Sequence, residues 1–377
     1  MATPKKRILI DANPVVPFLA NGRNTGIGRT CLELILSLDK IRGSLPFEVE
    51  LYTQNLSGIS ARRLGTGFKS HHVYLRNTSF GRAIAKATGL RELSSHYDLQ
   101  HITHNYENVR HPERCIVTVH DAFFMKIEDE RFNFAKLRKL YPPFIRRARH
   151  IITCSEYSKK DIIETMGIPP EKITVIPWGV DHDVLYPEKD LTAVAETLKN
   201  DYGIERPFFL SVSCDAGRKR TPALIEAYNT LPNPTNDLVL VWGNPPHDII
   251  QKYAGNSRIH FLKNIPNDAL RLLYNGATAS LNPTCYEGFG LPVLEAMACG
   301  CLAVTCRNSS LLEVGGDVAL YIEEPIEESL PIMLRQLDSS EFDYSDRKAA
   351  GIARAAQFTW ARTAQLTADV YASQLQV

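Results

Sequence analysis

The chain has 377 residues, 44% of them apolar and 23% charged, with a formal net charge of +1. That length suits about two domains with buried cores, and the near-zero charge argues against a general nucleic-acid binder, which carries a strong basic excess. The opening "MATPKKRILIDANPVV" has too short an apolar run for a signal peptide, and no uninterrupted apolar stretch reaches the roughly 18 residues of a membrane span.

In chain order, short aliphatic runs alternate with helical patterns. The first half offers "RILIDA", "FEVELYT", "LQHIT", "CIVTVHD", "HIITCS" and "ITVIPWG" as strands, and the second offers "FFLSVS", "LVLVWG", "RIHFLKN", "ASLNPT" and "CLAVTC". Between them lie helical stretches such as "GRTCLELILSLDKI", "TPALIEAYNTL" and "NDALRLLYNGA". This alternation predicts parallel sheets joined by crossover helices, and hence two doubly wound α/β domains. The join is expected in "VIPWGVDHDVLYPEKD", where Pro177, Gly179 and Pro187 punctuate an irregular stretch. The last segment, "FTWARTAQLTADVYASQLQV", reads as a terminal helix. Two such domains facing each other would form a cleft between the carboxyl ends of their strands, where ligands of open α/β sheets bind.

The eight cysteines are scattered, mostly in apolar surroundings, which fits free thiols in a reducing cytoplasm. Cys285, Cys299, Cys301 and Cys306 lack paired C-x-x-C knuckles, so no metal site is expected there.

The most informative stretch is "CYEGFGLPVLEAMACGCLAVT", residues 285–305. "TASLNPT" before it reads as a buried strand. "LPVLEAMA" starts a helix with Pro292 in its first turn, and Gly300 sits where a helix-ending glycine belongs. Backbone N–H groups at such a helix start face outward with partial positive charge, which suits an anion such as a diphosphate. Glu287 and Glu295 would repel that anion, but carboxylates beside it can accept hydrogen bonds from hydroxyls. A nucleotide-sugar has hydroxyls on both sides of its diphosphate, ribose on one and sugar on the other. For Glu295 alone a plainer account exists: an acid near a helix N-terminus gains about 0.3–1 kcal/mol from the macrodipole. That account does not cover Glu287, Gly288 and Gly290 in the same few residues.

Other segments bear on the chemistry. "DAGRKRTP" sets Arg218, Lys219 and Arg220 after the strand "FFLSVS", as either a solvated basic turn or a group of cations for a leaving diphosphate. "VTVHD" puts His120 and Asp121 at a strand's end, where a lone histidine is more often structural. Asp121 would orient the imidazole or cap the next segment. "NTGIGRT" has Gly26 and Gly28 before a helix beginning near Arg29. Cys31 stands where a dinucleotide fingerprint needs a glycine, which disfavours a dehydrogenase. "KNIPNDALRLLYNGA" starts a helix at Asn267 or Asp268. "RFNFAKLRKLYPPFIRRARH" mixes seven Lys or Arg residues with aromatics and Leu. It reads as a solvated helical pair, or as a basic face for an anionic membrane surface.

"YEGFGLPVLEAMACG" resembles the Glu-x7-Glu motif of retaining GT-B glycosyltransferases of family 4. "TGIGRTCLELILSL", "IVTVHDAFF", "IITCSEYSKKDI", "ITVIPWGVD" and "SVSCDAGRKRTPALIEAY" extend the resemblance in family order over most of the chain. The resemblance implies two Rossmann-like domains facing a central cleft. An acceptor-binding domain would span 1–185 with a C-terminal helix, 360–377, returning to it, and a nucleotide-sugar-binding domain would span 186–359.

The resemblance also assigns roles. Glu287 and His120 would contact the transferred sugar, Glu295 the ribose, and Arg218 and Lys219 the diphosphate. The backbone of Gly288, Phe289 and Gly290, with Leu291 opening the helix, would line the donor. Gly28 would allow close approach near the phosphates and the acceptor. Ile265 would meet the base, with core packing the alternative. "DHD" at 181–183 imitates the metal-binding D-x-D of the other major glycosyltransferase fold, but sits in the join and reads as a decoy. No metal or other cofactor is expected.

Leu302 and Leu312 depart from the usual prolines, Ser213 and Cys214 from the usual residues of their loop, and Arg220 from a common Asn. The implied activity is hexosyl transfer to a glycan or lipid-linked acceptor in surface-polysaccharide assembly, such as that of lipopolysaccharide, with same-face displacement. The implied donor is GDP-mannose first and a UDP-hexose second. The rival readings are a GT-B nucleotide-sugar epimerase and a non-catalytic GT-B partner subunit. The expected setting is cytoplasmic, with peripheral membrane contact through 131–149.

Overall fold

The computed structural model describes residues 4–22, 25–128, 133–212, 217–339 and 341–376. The chain divides into two compact units, Met1–Gly179 with Trp360–Val377, and Val180–Thr359. Each is built around one parallel sheet.

In the first unit the strands are β1 (Arg7–Asp11), β2 (Glu48–Gln54), β3 (Lys69–Val73), β4 (Leu99–Ile102), β5 (Cys115–Thr118), β6 (His150–Thr153) and β7 (Ile173–Val175). Their order is β3-β2-β1-β4-β5-β6-β7. In the second they are β8 (Phe208–Val212), β9 (Asp237–Val241), β10 (Ile259–Leu262), β11 (Ala279–Asn282), β12 (Ala303–Cys306) and β13 (Leu320–Ile322). Their order is β10-β9-β8-β11-β12-β13. Central strands such as β5, β8 and β11 are buried at every residue. Crossover helices cover both faces of such sheets, so their strands read as unbroken apolar runs.

Two strands escaped the sequence reading, β3 and β13, and both lie at sheet edges. The "KSHHV" of β3 is polar because an edge strand has solvent along one side. The "LYI" of β13 is too short to show a period.

The helix Gly26–Lys40 starts before Arg29, because the Thr25 hydroxyl caps it by accepting from the Gly28 N–H at 3.0 Å. Gly28 therefore lies inside the first helical turn and not in a preceding loop. The terminal helix, Trp360–Leu375, belongs to the first unit and packs on Gly26–Lys40. Trp360, Thr363, Ala364, Thr367, Ala368 and Tyr371 form its buried stripe, at the spacing of one helical face. Among the described residues no helix is long and apolar enough to cross a membrane.

Candidate functional site

In the second sheet the chain winds from β8 toward β9 and β10 on one side, and from β11 toward β12 and β13 on the other. The carboxyl ends of β8 and β11 therefore flank the topological switch point, the usual ligand crevice of an open α/β sheet. The loop after β8 holds Gly217–Lys219 in a short 3-10 turn. The loop after β11 holds Glu287.

The two loops are tied together. The Arg218 carbonyl accepts from the Cys285 N–H at 2.8 Å and from the Thr284 hydroxyl at 3.0 Å. In return the Arg218 guanidinium donates to the Tyr286 carbonyl at 2.8 Å and to Glu287 Oε2 at 2.9 Å. Lys219 Nζ donates to Glu287 Oε1 at 2.5 Å. Glu287 is only 7% exposed. Burial pushes its carboxyl up, but the charges and hydrogen bonds of Arg218 and Lys219 outweigh that and bring it down to about 2. The carboxylate is ionised throughout the physiological range and holds both cations in place.

Gly290 caps the next helix, Leu291–Ala298, at φ 103°, a region that favours glycine. A Cβ there would come within 2.8 Å of Leu311 Cδ2. Phe289 is buried and packs edge-on against Phe358, with centroids 6.0 Å apart. Gly288 lies in this turn and Leu291 is the first residue of the helix. Glu295 is buried inside the helix and accepts from the Tyr274 hydroxyl at 3.0 Å. Tyr274 was not singled out from sequence; its only signal was a polar-tipped ring on the buried side of the helix Asn267–Gly276. Ile265 is half-buried, two residues before that helix.

Arg220, at φ 52°, precedes the helix Thr221–Asn229 and pairs with Glu324 at 2.5 Å. It is turned to another carboxylate than Arg218 and Lys219 are. Ser213 and Cys214 lie outside the described residues, as does Arg131. Leu302 is buried in the core of the second unit.

In the first unit, His120 follows β5. Its Nε2–H donates to the Thr103 carbonyl at 3.0 Å, and its ring lies 5.7 Å from that of Trp178. Burial lowers its pKa to about 4 against the Thr103 hydrogen bond, so the imidazole is neutral with Nδ1 as the acceptor nitrogen. Asp121 Oδ1 accepts from the Phe123 N–H at 3.3 Å, which is the capping alternative.

The switch point of the first sheet, between β1 and β4, holds a charged group that the sequence did not reveal. Buried Arg91 donates to Asp11 Oδ2 at 2.9 Å and lies 3.4 Å from Glu107 Oε2. The contributing segments are far apart in sequence, so no local pattern joins them.

Asp181 Oδ1 accepts from the Asp183 N–H at 3.0 Å, so "DHD" builds a turn. No group of three His, Cys, Asp or Glu able to hold a metal occurs among the described residues. In the basic helix Phe134–Arg147, Arg138 and Arg146 donate to the carbonyls of Phe124 and Met166, while Lys136 and Lys139 are exposed.

Comparison with known proteins identifies the family. The family model described as Glycosyltransferase Family 4 matches residues 24–184, and that described as Glycosyl transferases group 1 matches 194–329. The serotype-specific mannosyltransferase WbdA of Escherichia coli is 27% identical over 279 residues, 70% of this chain but 34% of the relative. The chain thus spans about a third of the length of the first curated relatives it matches. The O-antigen chain mannosyltransferase B of Escherichia coli is 26% identical over 272 residues, 69% of this chain and 70% of that enzyme. Among solved structures, a sucrose-phosphate synthase from Thermosynechococcus elongatus superposes with a TM-score of 0.78 at 16% identity, over 99% of this chain and 100% of that one. The two family matches in sequence, and the two parallel sheets in structure, agree: the chain belongs to glycosyltransferase family 4 and has the GT-B fold.

Proposed function

We propose that the chain is a retaining hexosyltransferase that moves mannose from GDP-mannose to a hydroxyl of a glycan or lipid-linked glycan. The observation that carries this is the convergence of Arg218 and Lys219 on Glu287 at the β8–β11 switch point. Breaking a glycosyl–phosphate bond leaves negative charge on the departing diphosphate, and cations already in place lower that barrier without reorganising. In this reading the reaction is metal-independent. The start of the helix Leu291–Ala298 and the backbone of 288–290 add partial positive charge on the same side.

Glu287 would face the sugar ring, where positive charge develops as the bond to phosphate breaks, as it does in glycoside chemistry. A carboxylate committed to two cations is a poor nucleophile, which supports same-face displacement. The acceptor oxygen bonds the anomeric carbon as the phosphate oxygen leaves, and the acceptor's proton passes to the departing phosphate. Glu295 is assigned to the ribose hydroxyls and Ile265 to the base. His120, neutral at pH 7 with Nδ1 able to accept, is assigned a hydrogen bond from a sugar hydroxyl. The donor falls to the domain 186–359, and the acceptor to 1–185 with 360–377, with Gly28 allowing close approach near donor and acceptor.

Mannose ranks first because WbdA and the O-antigen enzyme are mannosyltransferases; a UDP-hexose ranks second. Assembly of a surface polysaccharide at the cytoplasmic face of a membrane is the proposed setting. Exposed Lys136, Lys139, Arg147 and Arg149 are among the groups of the 131–149 segment offered to an anionic surface.

The test is transfer from GDP-mannose and from UDP-glucose to a mannoside acceptor, with the product's anomeric configuration read by NMR. An α-mannoside product is expected. Replacing Arg218 and Lys219 together with Ala should lower kcat by about 100-fold or more. Full activity in that double variant would remove the proposed mechanism, and an inverted product would remove retention.

A further inference from the structure

The turn that carries Glu287 is held from a third side, by the segment after β12. The Glu287 N–H donates to the Ser309 hydroxyl at 3.0 Å, and the Ser310 hydroxyl donates to the Glu287 carbonyl at 2.9 Å. Ser309 in turn donates to Asn308 Oδ1 at 3.0 Å, and Asn308 Nδ2 donates to the Thr284 carbonyl at 3.0 Å. Both serines are buried, Ser309 at 7% exposure and Ser310 at 0%. Leu311, next along, abuts Gly290 at the other end of the same turn.

Ser309 adopts φ 48°. In that left-handed region a residue other than glycine is strained, and glycine would relieve the strain. The residue that carries this strain is the one whose hydroxyl receives the Glu287 N–H.

We propose that Ser309, with Ser310 beside it, is a positioning residue that fixes the backbone of Glu287, so that the carboxylate is delivered to Arg218 and Lys219. The inference rests on the reading of Glu287 as a donor-site group. Arg218 keeps its own anchor on the Tyr286 carbonyl, so loss of the Ser309 hydroxyl acts on the carboxylate more than on the diphosphate cations. The effect then falls on kcat and much less on donor KM.

Ser309→Gly and Ser309→Ala separate this role from plain packing. Both lose the acceptor for the Glu287 N–H, but only Ser309→Gly also relieves the backbone. The expected result for Ser309→Gly is a Tm at or above that of the wild type together with a kcat about 10–100-fold lower. Ser309→Ala should show the same fall in kcat with a lower Tm.

Cys285, half-buried and two residues before Glu287, reports on the same turn without turnover. Its alkylation by iodoacetamide, followed on the Cys285 peptide by mass spectrometry, should speed up several-fold in Ser309→Gly. Wild-type kcat and a wild-type alkylation rate in Ser309→Gly would overturn the inference. If the wild-type protein itself transfers no sugar, the hexosyltransferase reading fails. The alkylation rate then decides the inference alone, and an unchanged rate overturns it.

Discussion

Glu287 joins a buried carboxylate, two cations and a glycine-rich turn. Its folded carboxyl titrates at about 2, and an unfolded glutamate at about 4.3. A depressed pKa means that the ion pairs stabilise the fold fully above about pH 4.3 and lose that effect as the pH falls toward 2. Glu287→Gln lacks this window. The stability gap between wild type and Glu287→Gln, from urea unfolding at several pH values, should therefore shrink on acidification from about pH 6 to about pH 3. A constant gap would remove the ion-pair account. The motif was legible because Glu287 and Glu295 sit in one segment, and Arg218 and Lys219 are adjacent. Their mutual pairing was not legible, since it joins loops from two strands brought together only by the winding of the sheet. The sequence pictured the cations awaiting a diphosphate; in the fold they already face a carboxylate.

At the scale of elements, strands buried on both faces were read correctly because both faces demand apolar residues. Of the four described edge strands, β7 and β10 keep enough aliphatic residues to be read, whereas β3 was missed because it is polar and β13 because it is too short. The terminal helix shows a tie that periodicity cannot reveal. Its Tyr371 hydroxyl meets His101 Nδ1 of β4 at 2.5 Å, and His101 Nε2 meets the Thr118 hydroxyl of β5 at 2.8 Å. Burial lowers the His101 pKa to about 3, with His120 and His104 adding to the effect, so the ring is neutral at pH 7. Tyr371→Phe leaves a buried ring nitrogen without its partner and should destabilise the first unit by about 1–3 kcal/mol. Urea unfolding measures this, and an unchanged midpoint would show that the hydroxyl contributes nothing.

For the molecule as a whole, the same winding has been put to two uses. At the second sheet's switch point two cations, Arg218 and Lys219, share one carboxylate, Glu287, beside a helix start. At the first sheet's switch point, Arg91 is enclosed by Asp11 and Glu107, and its charge is neutralised within the protein. On the proposed function an anionic nucleotide would take its cations from the second unit, so 180–359 expressed alone should be stabilised by GDP or UDP through mass action. A thermal shift checks this; none with either nucleotide would count against a donor site in that unit.

Such a fragment is reasonable because of how its ends meet. Val180 bridges to Thr359, and its N–H donates to the Phe358 carbonyl at 3.2 Å. On the other side of the crossing, Trp178 stacks on Trp360 and the Thr363 hydroxyl donates to the Pro177 carbonyl at 2.7 Å. The chain leaves the first unit and re-enters it at adjacent points. The second unit is in effect a cassette set into a break in the first, entered and left by the chain at two neighbouring points and so open to exchange for the corresponding unit of another family member.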